Sequence, residues 1–351
     1  MKRYGNLYEK IYDIENIELA HKNAKKGKNH YREVKMVDSN PDKYFLKIHK
    51  MLKNKTYRNS KYKIMNREMN NGKVREIHKL PYFPDRIIHH CIMQVVEPIW
   101  YKTLIRDTYS SLKGRGIHDG VKRIKEALKD KKDTEYCLKM DVTKFYPSID
   151  NDILKGIIRR KIKDSDLLWL LDEIIDSSQG VPIGNYLSQY FGNLYLTELD
   201  HYAKEKLGCK NYFRYCDDIV ILESNKKRLH TLRNKIENYL GDLNLELKDN
   251  YQIFPVGIRG IDFLGYKLFH GYTLLRKSIK KKFIRKIKKI NKEWGRMPYS
   301  QIVNSIMSYL GWFKYANCKN LFNKYIDDKI FWIVKHTSID NDVKNPLQGV
   351  I

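Results

Sequence analysis

Two adjacent acids, Asp217 and Asp218, interrupt an otherwise aromatic and apolar run over residues 212–221. Aspartate disfavours β-strands and like charges repel each other, so the pair is a poor choice for the middle of a strand. Because the apolar run stops for the acids and restarts at once, the pattern predicts a β-hairpin with both acids at its tip. Carboxylate oxygens at such a tip can bind divalent metal ions, whose positive charge makes the pair tolerable. An ordinary aspartate-rich surface turn is the alternative, and a third acid would decide between the two.

A third acid, Asp141, ends a segment in which apolar and polar residues alternate. Residues 136–141 read Tyr-Cys-Leu-Lys-Met-Asp, a period-two pattern that predicts a strand with the acid at its end. A carboxylate there, beside a double-acid hairpin, can hold two metal ions about 3.5–4 Å apart, as in-line phosphoryl displacement requires. An aromatic residue, Tyr146, follows five residues after the acid. Together with the aromatic-x-Asp-Asp group, this pattern has the form of polymerase palm motifs.

The motifs along the chain resemble those of reverse transcriptases, in the same order. Residues 141–150 are similar to the family's first palm motif, and Tyr-Cys-Asp-Asp at 215–218 is similar to its Tyr-x-Asp-Asp box. Residues 260–266 resemble the later palm motif that grips the primer end. Upstream segments resemble motifs of the bacterial enzymes related to group II introns, namely 73–77, 85–88, 97–98 and 111–118. The resemblance extends over roughly residues 60–320.

One motif narrows the resemblance to a subgroup. Most bacterial relatives carry Gln-Gly-x-x-x-Ser-Pro ahead of the acid box, whereas residues 183–189 read Ile-Gly-Asn-Tyr-Leu-Ser-Gln. Ile for the first Gln and Gln for the last Pro is the pattern of reverse transcriptases from diversity-generating retroelements. Those enzymes copy a template RNA with errors at adenines, and the cDNA then rewrites a variable gene (mutagenic retrohoming). The alternative is sequence drift in an ordinary group II-intron-like or retron enzyme.

The resemblance implies an α+β chain with the right-hand polymerase fold, made of fingers, an antiparallel-sheet palm and a helical thumb. The fingers with an N-terminal extension would span residues 1–130, the palm 131–272 and the thumb 273–351. A helical insertion about 151–178 would interrupt the palm. The mixed order of predicted helices and antiparallel strands is typical of this class.

Hydrophobic periodicity predicts the individual elements. Helical spacing marks residues 44–52, 85–100, 151–176, 187–207 and 225–240. We expect Pro98 to close the second of these helices, because proline breaks helix interiors. A hairpin over residues 60–80 would turn at Asn-Asn-Gly, residues 70–72, and further strands are expected near 244–275.

The resemblance assigns the three acids to catalysis and metal binding. Asp141 and Asp217 would hold two magnesium ions, for which manganese can substitute, and Asp218 would support them. The backbone carbonyl of Val142 would supply a further metal ligand.

A second set of residues is implied to contact the incoming dNTP. The set is Lys73, Arg75, Arg86, Tyr146, Ile183 and Gly184. Lys73 and Arg75 resemble the residues that clamp the triphosphate, where arginine forks to phosphate and lysine acts as a point charge. Tyr146 holds the position of the ring that excludes a ribose 2′-hydroxyl. Ile183 replaces a glutamine that can hydrogen-bond the sugar of the incoming nucleotide.

A basic segment near the end of the motifs predicts a nucleic-acid contact. Residues 276–292 contain ten Lys or Arg and no acid, while apolar residues recur at helical spacing. One face would therefore pack, and the others would follow a phosphate backbone as a thumb helix does. The residues implied to contact primer and template are Gly265, Tyr266, Lys281, Arg285 and Lys289.

The composition supports a nucleic-acid partner without identifying one. The 351 residues carry a net charge of +27 and include 26 tyrosines, whose rings can stack on bases. The five cysteines form no Cys-x-x-Cys pair, which disfavours a zinc site or disulfide scaffold and favours a reducing cytoplasm. No run of 18 apolar residues occurs, so no membrane partner is expected. The resemblance implies three partners: template RNA, the RNA–cDNA hybrid, and a small basic accessory protein of the retroelement.

These patterns predict an RNA-directed DNA polymerase that copies a template RNA into cDNA, with errors at template adenines. A maturase-like RNA-binding scaffold is one alternative, which would need an altered acid triad or an added RNA-binding domain. A defence-type enzyme that makes untemplated DNA is another, which usually carries large helical extensions. The general acid stays open, because Lys248 lies slightly before the family's usual lysine position and Tyr251 lies nearer to it.

Overall fold

The structure is a computed structural model and describes residues 2–68, 72 and 74–337. Within them, the strands are β1 (Lys63–Glu68), β2 (Val74–Lys79), β3 (Tyr136–Asp141), β4 (Asn211–Tyr215), β5 (Asp218–Glu223), β6 (Gln252–Pro255), β7 (Ile261–Phe263), β8 (Tyr266–Leu268) and β9 (Thr273–Leu275). The helices are α1 (Tyr8–Tyr12), α2 (Ile14–Ala24), α3 (Arg32–Ser39), α4 (Pro41–Lys53), α5 (Ile87–Tyr101), α6 (Ile117–Ala127), α7 (Phe145–Ser148), α8 (Asn151–Arg159), α9 (Ser165–Ile175), α10 (Tyr186–Tyr195), α11 (Thr197–His201), α12 (Lys226–Asp242), α13 (Val256–Arg259), α14 (Lys277–Lys292), α15 (Tyr299–Phe313), α16 (Lys319–Tyr325) and α17 (Asp328–Thr337). Short π-helical turns precede α5 and follow α11.

The central sheet positions the acids. Its four antiparallel strands run in the order β4-β5-β3-β6, and Asp141 on β3 lies directly opposite Asp218 on β5. Opposed residues of an antiparallel pair share a face, and neighbours along a strand alternate between faces. Asp141, Asp218 and Lys139 therefore lie on one face, which we call the front face. Tyr212 and Arg214 on β4 lie on the other, the back face.

Two hydrophobic cores cover these two faces. The back-face residues of the sheet pack with α10, α12 and the N-terminal helices α1 to α5. The front-face residues pack with α6, the small β7-β8-β9 sheet and the C-terminal helices α14 to α16. The interior of the sheet is thus buried, and its acids lie at one end, where β3 ends and β5 begins.

The N-terminal segment is attached to the helical insertion. Tyr4 pairs in parallel with Ile162. The carboxylate of Asp164 accepts hydrogen bonds from the Leu7 and Tyr8 amides at 2.6 and 3.0 Å, and its other oxygen caps the start of α9. One side chain therefore satisfies orphan amides of two helices.

The predicted α+β class is confirmed by the mixture of helices and antiparallel sheets. The predicted helices over 44–52, 151–176 and 225–240 correspond to α4, to α8 with α9, and to α12. The fingers hairpin is β1-β2, although residues 69–71 and Lys73 lie outside the described residues. The domain boundaries stay a prediction. No helix in the described part of the chain is long and apolar enough to span a membrane.

The predicted end of a helix at Pro98 is wrong. Helix α5 continues through Pro98 to Tyr101. Proline removes one backbone hydrogen bond from the helix interior, at about 3 kcal/mol. The last turn offsets this, because Ile99 and Trp100 are buried in the core.

The predicted helix over 187–207 is broken rather than continuous. It consists of α10, α11 and a π-helical turn, with the break at Leu196. At the break, the Asn193 carbonyl accepts hydrogen bonds from the Thr197 hydroxyl at 3.0 Å and from the Arg214 guanidinium at 3.3 Å. A threonine hydroxyl bonded to the carbonyl four residues back bends helices.

Candidate active site

The hairpin β4-β5 presents its two acids as predicted. A two-residue turn joins the strands, because Tyr215 is paired with Asp218. Cys216 adopts a φ of +59°, in the left-handed region that two-residue hairpin turns use. Asp217 follows in the turn and Asp218 begins β5. The third acid, Asp141, lies across the ladder from Asp218.

The three carboxyl groups interact strongly. Burial raises the pKa of Asp218 to about 7, and the nearby Lys139 ammonium opposes the shift. Burial also raises the pKa of Asp217, helped by a hydrogen bond with Asp141 and by the charge of that residue. Acids crowded in this way hold protons unless cations neutralise them.

Two lysines contact the acids in this structure. Lys248 forms an ion pair with Asp141. The Lys139 ammonium lies 3.3 Å from an Asp218 oxygen and donates a hydrogen bond to the Asp262 carbonyl at 2.6 Å. Lys139 was not among the residues singled out from the sequence. Its signal was present, however, because the alternation over residues 136–141 places it on the same face as Asp141.

The acid cluster fits divalent metal ions, although the carboxylates do not converge as a finished metal site. Among the described residues, no three His, Cys, Asp or Glu side chains form such a group, and Asp141 and Asp218 each contact a lysine instead. Asp218 Oδ1, however, is buried and has no hydrogen-bond partner among the described residues. A buried unpaired carboxylate oxygen beside two further acids is the donor set that hard cations use.

The backbone of Val142 is compatible with its predicted role. Val142 bridges Leu247, and the hydrogen bonds of this bridge are made by the neighbouring residues, from the Thr143 amide and to the Asp141 carbonyl. In such a pair the carbonyl of the bridged residue points away from its partner. The Val142 carbonyl is therefore directed to the side of β3 on which β5 lies.

Tyr146 lies against the acid turn. Its hydroxyl accepts a hydrogen bond from the Cys216 thiol at 3.3 Å. The ring packs over Gly192 so closely that a Cβ there would lie 3.0 Å from it. Tyr146 is half-buried, and these contacts place it beside the turn that carries Asp217.

The subgroup motif docks the fingers hairpin. The His78 amide on β2 donates to the Ile183 carbonyl at 2.8 Å. Gly184 has a φ of +126°, and a Cβ there would lie 2.7 Å from the His78 carbonyl oxygen. Only glycine allows this approach. Arg75 is exposed on the docked strand, and the predicted clamp partner Lys73 lies outside the described residues.

Arg86 lies immediately before α5. Its Nε is buried without a hydrogen-bond partner among the described residues, and burial lowers its pKa. Its contact with the incoming nucleotide stays a prediction.

The primer-grip candidates differ in accessibility. Tyr266 is fully buried, and its hydroxyl donates to the Trp312 carbonyl at 3.0 Å. Gly265, with a φ of +85°, lies in the β7-β8 turn, and a Cβ there would lie 2.6 Å from the Trp312 ring. In this structure Tyr266 joins the β7-β8 hairpin to helix α15. Its contact with a primer stays a prediction.

The basic helix α14 is amphipathic as predicted. Phe283, Ile287 and Ile290 are buried, while Lys281, Arg285 and Lys289 are exposed.

A cavity of about 860 Å³ lies between the central sheet and the C-terminal helices α14 and α16, and it reaches Asp141. Cationic residues that line it are Lys139, Arg259, Lys267, Arg276, Lys277 and Lys280. Helix α14 therefore lines the cavity with Lys277 and Lys280, whereas the predicted contact residues Lys281, Arg285 and Lys289 are not part of its lining. Helical spacing alone did not show which polar face this would be.

The comparisons with known proteins agree with this geometry. The family model described as reverse transcriptase (RNA-dependent DNA polymerase) matches residues 52–268, which is more than half of the chain. Protein YkfC from Escherichia coli (strain K12) is 25% identical over 56% of this chain and 64% of its own length. The group II intron-encoded protein LtrA from Lactococcus lactis subsp. cremoris is 25% identical over 54% of this chain and 34% of its own. The match thus spans between one third and two thirds of these curated relatives.

A solved structure, apo telomerase from Candida tropicalis, matches with a TM-score of 0.51 and 13% identity. The match covers 84% of this chain and 63% of the telomerase. At this identity the likeness concerns the fold alone. The chain has the predicted right-hand polymerase fold.

Proposed function

Because this chain belongs to the reverse transcriptase family, we propose that it is an RNA-directed DNA polymerase that copies a template RNA into cDNA. The observation that carries the proposal is the juxtaposition of Asp141, Asp217 and Asp218 at one end of the front face. The reaction joins the 3′-hydroxyl of a primer to the α-phosphate of a dNTP and releases pyrophosphate.

The three acids have distinct roles in this proposal. Asp141, Asp217 and the Val142 carbonyl would hold the metal ions, and Asp218 would complete the negative charge around them. When bound, two magnesium ions would activate the primer hydroxyl and stabilise the charge of the departing pyrophosphate. Arg75 and Lys73 would hold the triphosphate, and Tyr146 would lie beside its sugar.

Two lysines also supply positive charge next to the acids. Lys139 and Lys248 contact Asp218 and Asp141 directly, so each neutralises part of their negative charge. Lys248 remains one candidate for the group that protonates pyrophosphate.

We place the enzyme in a diversity-generating retroelement, acting in the cytoplasm on template RNA and an RNA–cDNA hybrid with a small basic accessory protein. The support is the departure at residues 183–189, in which Ile183 replaces a hydrogen-bonding glutamine. An apolar side chain cannot position the sugar of a correct nucleotide through a hydrogen bond. A tenfold loss of discrimination needs only about 1.4 kcal/mol, within the range of one hydrogen bond.

The test is the error spectrum of Ile183→Gln. We expect fewer misincorporations opposite template adenines, by up to about tenfold, with smaller changes opposite the other bases. Sequencing cDNA made on one template by the wild type and the variant measures this. Ile183→Leu is the matched control, because it stays apolar and should keep the adenine errors. Equal adenine errors in all three proteins would remove Ile183 from the mechanism.

An ordinary group II-intron-like or retron enzyme is the second candidate, favoured by the match to a group II intron-encoded protein. It predicts that the wild type copies adenines as faithfully as other bases. A maturase-like scaffold predicts RNA binding without cDNA synthesis, and a defence-type enzyme predicts DNA synthesis without template. Reactions with and without template RNA distinguish these outcomes.

A further inference from the structure

Arg214 is the only lysine or arginine among the buried residues that the structure describes. It lies on β4, two residues before Cys216, and it faces the back of the sheet beneath the acid turn. A charge removed from water in this way requires partners for every donor. The partners of Arg214 therefore show which groups its guanidinium holds in place.

One side of the guanidinium is held by Asp200 on α11. Arg214 Nε donates to Asp200 Oδ1 at 2.7 Å and Nη2 donates to Oδ2 at 2.5 Å, and both side chains are fully buried. The same carboxylate accepts hydrogen bonds from the Tyr212 hydroxyl at 2.7 Å and from the Thr108 hydroxyl at 3.1 Å. Four donors thus fix the carboxylate, which in turn fixes the orientation of the arginine.

The other side of the guanidinium reaches the acid turn. Arg214 Nη1 donates to the Cys216 carbonyl at 2.9 Å, and Nη2 also donates to the Asn193 carbonyl at 3.3 Å. The Cys216 carbonyl belongs to the peptide group that precedes Asp217. Since Cys216 has a φ of +59°, this peptide is held in a conformation that residues with a side chain rarely adopt.

A buried ion pair is an inefficient way to stabilise a fold, because apolar residues of similar volume often serve as well. Its distinctive property is orientation, since the planar fork of arginine fixes two directions at once. Here the guanidinium is held by Asp200 on one side, and on the other side it reaches the Asn193 carbonyl near the end of α10 and the turn that carries Asp217.

We propose that Arg214 and Asp200 are positioning residues that hold the peptide before Asp217, and with it the Asp217 carboxylate, in the orientation needed to bind metal. This inference rests on the proposed function for its catalytic consequence but not for its metal-binding consequence. Neither residue touches the reacting groups, and the effect passes through the Cys216 carbonyl.

The decisive variant is Arg214→Lys, which keeps the charge beside Asp200 but loses the fork that reaches Cys216. We expect the Mg²⁺ concentration for half-maximal cDNA synthesis to rise about fivefold or more, and kcat to fall about tenfold, as the loss of one or two buried hydrogen bonds implies. The KM for dNTP should change less than about twofold, because the triphosphate contacts are elsewhere. Binding of Mn²⁺, followed by electron paramagnetic resonance of the free ion, should weaken in parallel without any need for activity.

Arg159→Lys is the matched control. Arg159 forms a forked ion pair with Asp172 in the helical insertion, away from the acids. It should lower the melting temperature without changing the Mg²⁺ requirement or Mn²⁺ binding. If Arg214→Lys behaves in the same way, Arg214 only stabilises the fold and the proposal is overturned.

A milder variant covers the case in which Arg214→Lys does not fold. Thr108→Val removes one of the four donors to Asp200 with little change of volume, and it should shift both metal measurements in the same direction by a smaller factor. Unchanged metal binding in folded Thr108→Val would then overturn the proposal. If the wild type makes no cDNA but binds Mn²⁺, and the variants weaken that binding, the polymerase assignment fails while the positioning role stands.

Discussion

The two hairpins that carry the predicted functional residues are supported very differently. The acid hairpin β4-β5 lies within the four-stranded sheet, and its strand interiors are buried on both faces. The fingers hairpin β1-β2 is a separate two-stranded sheet in which every residue of β1 is exposed. It meets the rest of the protein through the His78–Ile183 backbone bond and the Tyr62 side chain, which bonds Asn185 and Ser177.

This difference indicates what each hairpin can do. An isolated two-stranded hairpin is marginally stable, and regions with few buried contacts open at low free energy. A metal site, by contrast, requires its ligands to be held within about 0.5 Å. The acid hairpin has the support that a fixed site needs. The fingers hairpin is placed by a few contacts, among them the close approach of Gly184 to His78.

The largest expected effect concerns the acid hairpin. Asp217→Asn should reduce magnesium-dependent cDNA synthesis to background, because the amide cannot neutralise metal charge. Folding and RNA binding should stay close to wild type, as checked by circular dichroism and by filter binding. Asp242→Asn, on the exposed end of α12, is the control and should stay active. Full-rate synthesis by Asp217→Asn would reject the metal-site assignment.

The next effect concerns the docking of the fingers hairpin. Gly184→Ala should lower kcat/KM for dNTP by about tenfold to a hundredfold, because backbone strain of 1–3 kcal/mol adds to the clash with His78. Gly241→Ala is the control, since nothing lies within 4 Å of its added Cβ. Equal kinetics in both variants would mean that the hairpin does not depend on this contact.

A smaller effect is expected from a charge on the fingers hairpin itself. Arg75→Gln should raise the KM for dNTP by about tenfold, as the loss of one charge-assisted contact implies, with kcat less affected. Lys63→Gln removes a charge from the same face of the hairpin at its opposite end. If single-nucleotide incorporation kinetics show equal changes for both variants, Arg75 contributes general charge rather than a specific clamp.

The smallest expected effect is on stability. A carboxylate of the acid hairpin should change the melting temperature in a pH-dependent way, whereas one of the fingers hairpin should not. Burial raises the pKa of Asp218 from 3.8 to about 7, so the folded protein binds this proton more tightly than the unfolded chain. The contribution of this group to stability is therefore present at low pH and is lost as the pH rises through about 7. In the absence of divalent metal, Asp218→Asn should raise the melting temperature relative to wild type at pH 8 more than at pH 5.

The control is Glu68→Gln, which removes an exposed carboxylate from the fingers hairpin and should show no such pH dependence. If Asp218→Asn has the same effect at both pH values, burial does not raise the pKa of Asp218 in the acid hairpin.

Local patterns were sufficient for much of the fold and for part of the site. The period-two alternation located β3, the interrupted apolar run located β4 and β5, and helical spacing located α12 and α14. Errors occurred where tertiary contacts override a local rule. Buried Trp100 and its neighbours keep α5 helical through Pro98, and the Arg214–Asn193 contact accompanies the break after α10.

The sequence by itself predicted that Asp141, Asp217 and Asp218 form one site, because each stands in a local pattern that favours a cation, and the structure brings the three residues together. It also determined the family, because the motifs follow one another along the chain in the order typical of reverse transcriptases. Only the tertiary structure decided how these acids are held. Asp200 lies fourteen residues before Arg214, on a different element, and no local pattern connects the two. The same holds for Lys139 with Asp262 and for Gly184 with His78. Periodicity is a local property and indicates which face of a strand or helix a residue occupies. The partner of a buried charge or of a closely packed glycine is distant in the sequence, so only tertiary packing determines it.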